Sequence, residues 1–192
     1  MIKNPTIEDS KFHPHIIFAN QKYVKRINVE DKASVILSEN HENIVAFDYN
    51  WKLNEFYWSI VNKGPRNTIL TGTVVKDMED FDTYPKDILR ANVTKFTLHE
   101  VDQVDAIAVD WVTNNIYFGD KRGATIKVLC RNTLFVTTLA KKGDTEHGQI
   151  IGHPRGIALY QPQGILFFTD WSATTPHIGT VRTDKHSRFF LN

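Results

Sequence analysis

The chain has 192 residues, long enough for one domain with its own core, and its 23 Lys plus Arg stand against 22 Asp plus Glu. That near-neutral balance excludes a global field for nucleic acid or an anionic membrane, so any partner has to be recognised by local chemistry. The single cysteine, Cys130, excludes an internal disulfide, no run of 18 apolar residues marks a membrane helix, and Met1 to Phe12 is too polar for a signal peptide.

Residues 1–12 lack periodicity and are expected to be disordered. From Pro14 onward, His15–Ala19, Tyr23–Val29 and Ala33–Ser38 read as strands, the middle one alternating apolar and polar as a half-buried strand does. A second unit over 43–99 holds a hairpin of Asn43–Asp48 and Glu55–Ile60 around a turn at Asn50–Asn54. Further strands follow near Thr68–Val75 and Thr94–Leu98, and the Asp-, Lys- and Pro-bearing stretch 76–91 is a surface insertion. The third unit, 101–140, repeats the phrase as Asp105–Trp111, a Thr113–Asn115 turn and Ile116–Asp120, with outer strands at Ala124–Cys130 and Leu134–Leu139. In that outer strand Cys130 reads as a small core residue. After a polar loop at Lys141–Gly148, a fourth unit over 151–192 gives Pro154–Tyr160, a Gln161–Gly164 turn and Ile165–Asp170, then outer strands at His177–Arg182 and Arg188–Leu191.

Short apolar runs bounded by Pro, Gly and Asn favour strands over helices. Counted on Ala46, Ala108 and Ala158 the repeat intervals are 62 and 50 residues. They approach the roughly 40 to 50 residues of a four-stranded propeller blade once the insertion at 76–91 is set aside. A sandwich would also space its strands evenly but needs no recurring hairpin phrase, so the expected architecture is all-β and radial.

The phrases Ile107-Ala108-Val109-Asp110-Trp111 with Ile116-Tyr117-Phe118-Gly119-Asp120, and Pro154-Arg155-Gly156-Ile157-Ala158 with Phe167-Phe168-Thr169-Asp170-Trp171, resemble the YWTD (class B) repeats of the low-density lipoprotein receptor family. Tyr57-Trp58-Ser59-Ile60 is a third copy, and Ile17-Phe18-Ala19-Asn20 with Lys25-Arg26-Ile27 is similar to the segment that opens such a propeller. The resemblance implies a partial six-bladed YWTD β-propeller over 13–192, with about three and three-quarter blades present. These are an incomplete first blade at 13–38, a second at 43–99, a third at 101–140 and a fourth at 151–192. Its motif positions are Tyr57, Trp58, Tyr117, Asp120, Thr169 and Asp170, together with Asp48 and Asp110. The departures are Ile60 where the motif has aspartate, Phe118 and Phe168 for tryptophan, and Tyr160 at a position usually acidic. Aromatic exchange keeps packing volume, whereas Ile60 removes a polar anchor. Six blades need about 24 strands and the chain offers about 15, so the expectation is a fragment or truncated product.

In propellers of this kind, the loop after the second strand and the approach to the first strand share one face. That face would carry Val61–Pro65, Lys121, Arg122, Trp171, His41-Glu42 and His147–His153. Trp171 beside Lys121 and Arg122 has the composition of an interface hot spot, the plainer alternative being that it packs on the adjacent blade. His147 and His153, near Asp144 and Glu146, suggest a pH-sensitive contact, the plainer alternative being solvated loop and turn residues. Asn92-Val93-Thr94 is a glycosylation sequon of slight weight. Asp48 and Asp110, read as ending inner strands at equivalent points, are better explained by a repeated structural hydrogen bond than by paired acids or calcium ligands. No nucleophile elbow, H-E-x-x-H, phosphate loop or zinc-spaced cluster is present in the sequence, so neither catalysis, a metal nor a cofactor is expected.

The function the resemblance implies is a non-catalytic ligand-binding module of an endocytic or signalling receptor. Its partner would be a protein ligand of lipoprotein, vitellogenin, Wnt or matrix type, and its neighbours cysteine-rich EGF-like modules. It would sit in the extracellular part of a single-pass membrane protein or be secreted. The alternatives are a matrix propeller of nidogen type and, from the enzyme class, a six-bladed metal-dependent hydrolase.

Overall fold

The computed structural model describes residues 14–38, 43–53, 55–60, 69–74, 93–98, 101, 103–143, 151–174 and 176–183. They form fourteen strands in four antiparallel sheets, each sheet a simple up-and-down meander. The first sheet is β1 (His15–Asn20), β2 (Tyr23–Asn28) and β3 (Ser34–Ser38). The second is β4 (Ile44–Asn50), β5 (Glu55–Ile60), β6 (Ile69–Val74) and β7 (Val93–Thr97). The third is β8 (Val104–Val109), β9 (Ile116–Asp120), β10 (Thr125–Leu129) and β11 (Val136–Lys141), and the fourth is β12 (Pro154–Tyr160), β13 (Ile165–Asp170) and β14 (His177–Arg182). The only helical element among the described residues is a 3₁₀ turn at Gln161–Gln163, and no helix there is long and apolar enough to cross a membrane. The chain is all-β, as its punctuation predicts, and its sheets are the wedges of a partial propeller.

Strand pairing sets the frame of the repeat. Ala46 pairs with Ser59, Ala106 with Gly119 and Gly156 with Thr169. Each first strand carries a bulge just before these residues, at Val45, Asp105 and Arg155. The true intervals are therefore 60 and 50 residues, because Ala46 corresponds to Ala106 and not to Ala108. This corrects the equivalence of Asp48 with Asp110. Asp48 stands opposite Tyr57, as Ala108 stands opposite Tyr117, while Asn50 and Asp110 follow two residues later at the turn.

Asn50 Oδ1 accepts from the N–H groups of Lys52 (3.1 Å) and Leu53 (3.2 Å). Asp110 accepts from Val112 N–H (2.9 Å) and Thr113 Oγ1 (2.6 Å), so both side chains cap the inner hairpin turn. Tyr160 cannot, and that turn is built instead by the 3₁₀ segment ending on Gly164 at φ 59°. The shift between Val24 and Lys25 in β2–β3 matches the one between Ile126 and Lys127 in β10–β11, which makes β1 to β3 the counterparts of second to fourth strands.

The core lies between sheets, in three layers. Val24 and Leu37 of the first sheet meet Ile44, Phe56 and Trp58 of the second. Ala46 and Tyr57 of the second meet Ile107, Val109, Phe118 and Leu129 of the third. Ala108, Tyr117, Ile126 and Val128 of the third meet Leu166, Phe168 and Val181 of the fourth. Trp58, Phe118 and Phe168 occupy one register position and all are buried, so the aromatic exchange preserves the packing. Truncating any of them to Ala would cost about 3–5 kcal/mol. Cys130 departs from its expected core placement. It sits half-buried at the turn after β10, and a hydrogen bond from Thr133 draws its thiol below the ordinary range.

Candidate functional site

The motif aspartates build one rim of the wheel. Asp120 is buried at the end of β9 and accepts from the N–H groups of Gln103 (3.0 Å) and Gly123 (3.2 Å). Asp170 does the same at the end of β13 with Gly152 (2.7 Å), His153 (3.1 Å) and Ser172 (2.9 Å). Each carboxylate thus ties the segment entering its first strand to the loop leaving its second. Two main-chain bonds finish the tie, Lys121 N–H to Gln103 O (2.9 Å) and Trp171 N–H to His153 O (3.0 Å).

Fixed in this way, Trp171 is 66% exposed at the rim. The cation stacked on it is Arg155, whose guanidinium carbon lies 4.8 Å from the ring centroid. Arg155 Nε faces Asp105 Oδ2 of the preceding blade at 3.6 Å, and Lys121 Nζ reaches the same oxygen at 3.8 Å. Gln103 Nε2 donates to Asp105 Oδ1 at 2.6 Å. The Asp105 side chain is only 1% exposed, so a buried carboxylate holds both Lys121 and the arginine that stacks on the indole.

Of the residues the sequence singles out for a partner, Lys121 and Trp171 join this chain of contacts. Arg122 is exposed in the turn that follows Lys121, and His153 is exposed with its N–H held by Asp170. His147, Asp144, Glu146, Asn92, His41, Glu42 and Val61–Pro65 lie outside the described residues. Arg155 and Asp105 are missed by sequence reasoning. Their signal is shared occupancy of the bulge slot, visible only once the register is known.

At the opposite end of the inner strands, Trp51 (58% exposed) and Trp111 meet with 5.2 Å between centroids and their planes tilted by 51°. Trp111 Nε1 lies 3.0 Å from the side-chain amide of Gln161. Between the inner strands lies a cleft of about 340 Å³ whose one lining carboxylate, among the described residues, is Asp48. Its oxygens accept from Val109 N–H (2.7 Å) and Tyr49 N–H (2.8 Å), and burial pushes its carboxyl above the usual range against the pull of those two bonds. No group of three or more His, Cys, Asp or Glu among the described residues is placed to hold a metal ion.

No protein-family model matches the chain. Over 182 residues, 92% of its length, it is 28% identical to the vitellogenin receptor of Solenopsis invicta, of which it spans 9%. Over 161 residues, 82% of its length, it is 30% identical to low-density lipoprotein receptor-related protein 5 of Mus musculus, again 9% of that protein. Among solved structures, a chain of a nidogen/laminin complex superposes with a TM-score of 0.67 at 19% identity, covering 88% of this chain and 58% of that one. The structural likeness shows the propeller fold, and the two sequence relatives are receptors.

Proposed function

We propose that this chain, a run of YWTD (class B) repeats of the low-density lipoprotein receptor family in a partial β-propeller, is a non-catalytic ligand-binding module of an endocytic or signalling receptor. It works outside the cell, as part of a single-pass receptor beside cysteine-rich EGF-like modules, or as a secreted protein. Recognition is non-covalent: a rigid wheel presents its rim, and Trp171 with the arginine stacked on it makes the contact. The observation that carries this reading is the exposed indole of Trp171, held in place by Arg155 on a site saturated with backbone hydrogen bonds. A rigid aromatic beside arginine supplies contact area at little entropic cost, which is the make-up of interface hot spots.

Likeness to a chain of a nidogen/laminin complex favours a second reading, a matrix protein using the same wheel to bind another matrix protein. A metal-dependent hydrolase draws less support, since the cleft between the inner strands presents, among the described residues, one carboxylate, each of whose oxygens already accepts a backbone N–H.

The experiment is to immobilise the chain and measure binding of vitellogenin, lipoprotein, a Wnt-type ligand and laminin, for wild type and for Trp171→Ala with unchanged circular dichroism. Saturable binding of one of them, lost in the variant, is expected. Binding that survives Trp171→Ala unchanged would reject the reading, and laminin as the sole ligand would favour the matrix alternative.

A further inference from the structure

The chemistry of the Trp171 rim narrows its ligand. Among the described residues there, the carboxylates are turned inward. Asp120 and Asp170 are buried and accept from backbone N–H groups, and Asp105 is buried under Gln103, Lys121 and Arg155. Among the described residues of this rim the charges that meet solvent are cations, Lys121, Arg122 and Arg155, the last of them stacked on the indole. Arg155 approaches Asp105 through Nε at 3.6 Å while 41% of its side chain stays exposed, so the guanidinium can also meet a carboxylate from solvent.

We infer that this rim binds an acidic peptide segment. A ligand Asp or Glu pairs with Arg155 and Lys121, a neighbouring apolar side chain lies on the exposed indole of Trp171, and Asp105 serves as the positioning residue that holds both cations in place. This inference rests on the reading that the rim is the ligand-binding face. It adds the sign and make-up of the ligand and a role for a residue that no solvent-exposed ligand touches.

Asp105 separates this arrangement from a merely cationic surface. Replacing a carboxylate by an amide makes the rim more positive, so attraction of charge alone would tighten an acidic ligand. If Asp105 instead positions Arg155 and Lys121, the same change weakens it, because the cations lose their fixed geometry.

The probes are fluorescein-labelled peptides read by anisotropy: Asp-Glu-Leu-Asp-Glu, its counterpart with Lys at every acidic position, and its counterpart with Ser for Leu. The acidic peptide should bind, weakening with added salt. The Lys peptide should not bind, and the Ser peptide should bind more weakly. Arg155→Gln and Asp105→Asn should each raise Kd by about tenfold, the scale of a hot-spot side chain. Tighter binding in Asp105→Asn, equal binding of the Lys peptide, or no binding of the acidic peptide would each overturn the inference. The panel of protein ligands keeps the two failures apart. If Trp171→Ala abolishes binding there while the acidic peptide shows no preference, the ligand class is wrong and the binding face stands; if Trp171→Ala changes nothing there, the face itself is wrong.

Discussion

At the scale of single residues, the third motif position shows how neighbours decide what a repeat tolerates. Ser59 Oγ accepts from Ala46 N–H (3.1 Å) and donates to Val104 O in the next blade (2.8 Å), and Thr169 Oγ1 accepts from Gly156 N–H (2.8 Å). Blade three has Gly119 at this point, and a Cβ there would lie 3.2 Å from Pro154 Cβ and 3.5 Å from Ile157 Cδ1. Restoring the motif with Gly119→Thr should therefore destabilise, by about 1–3 kcal/mol for overpacking, read as a lower urea midpoint. A raised midpoint would show that the Pro154 strand yields.

Asp48 gives a pH-dependent prediction of opposite sense to an ordinary surface acid. Its carboxyl is pushed above the ordinary 3.8 by burial, so the folded state holds the proton more readily than the unfolded state. Its contribution is full below the unfolded value and lost as pH rises through the folded one. The Tm of wild type minus that of Asp48→Asn should accordingly grow as pH is lowered from 7 towards 4. A difference that shrinks on acidification would contradict this.

At the scale of elements, the hairpins were legible because their alternation and turn residues are local. Trp58, Phe118 and Phe168 could be placed together from the phrase alone, and they share one register position. The frame of the first strands was not legible. Alanines at 46, 108 and 158 invite an alignment two residues out in the second blade, and a bulge adds a residue to each first strand without any compositional mark. The turn caps Asn50 and Asp110 carry the correct frame, since both need a short side-chain acceptor at the strand end. The Arg155–Asp105 pair joins bulge residues of adjacent blades, so it emerges only with the register in hand. Ile60 marks the limit of the motif: Asp120 and Asp170 gather two and three backbone donors, and an isoleucine in their place gathers none.

At the scale of the whole molecule, the same sheet face is buried in one blade and open in the next. Tyr117 and Ile126 of the third blade pack on the fourth, while their register partners Phe167 and Ile178 are 41% and 75% exposed. An apolar face of that kind promotes association. Ile178→Lys should reduce concentration-dependent self-association in sedimentation velocity while changing stability by no more than about 0.5 kcal/mol, as for a surface position. A core-sized loss of stability would mean that the face is covered in solution.

The wheel also has two ends, each with an exposed tryptophan: Trp171 on the rim built by the motif aspartates and Trp51 beside the inner hairpin turns. The most direct measurement is the binding of the vitellogenin, lipoprotein, Wnt-type and laminin panel to Trp171→Ala and Trp51→Ala side by side, both verified as folded. The account predicts that binding is lost in Trp171→Ala and kept in Trp51→Ala; loss in Trp51→Ala with binding intact in Trp171→Ala would place recognition on the other end and contradict it.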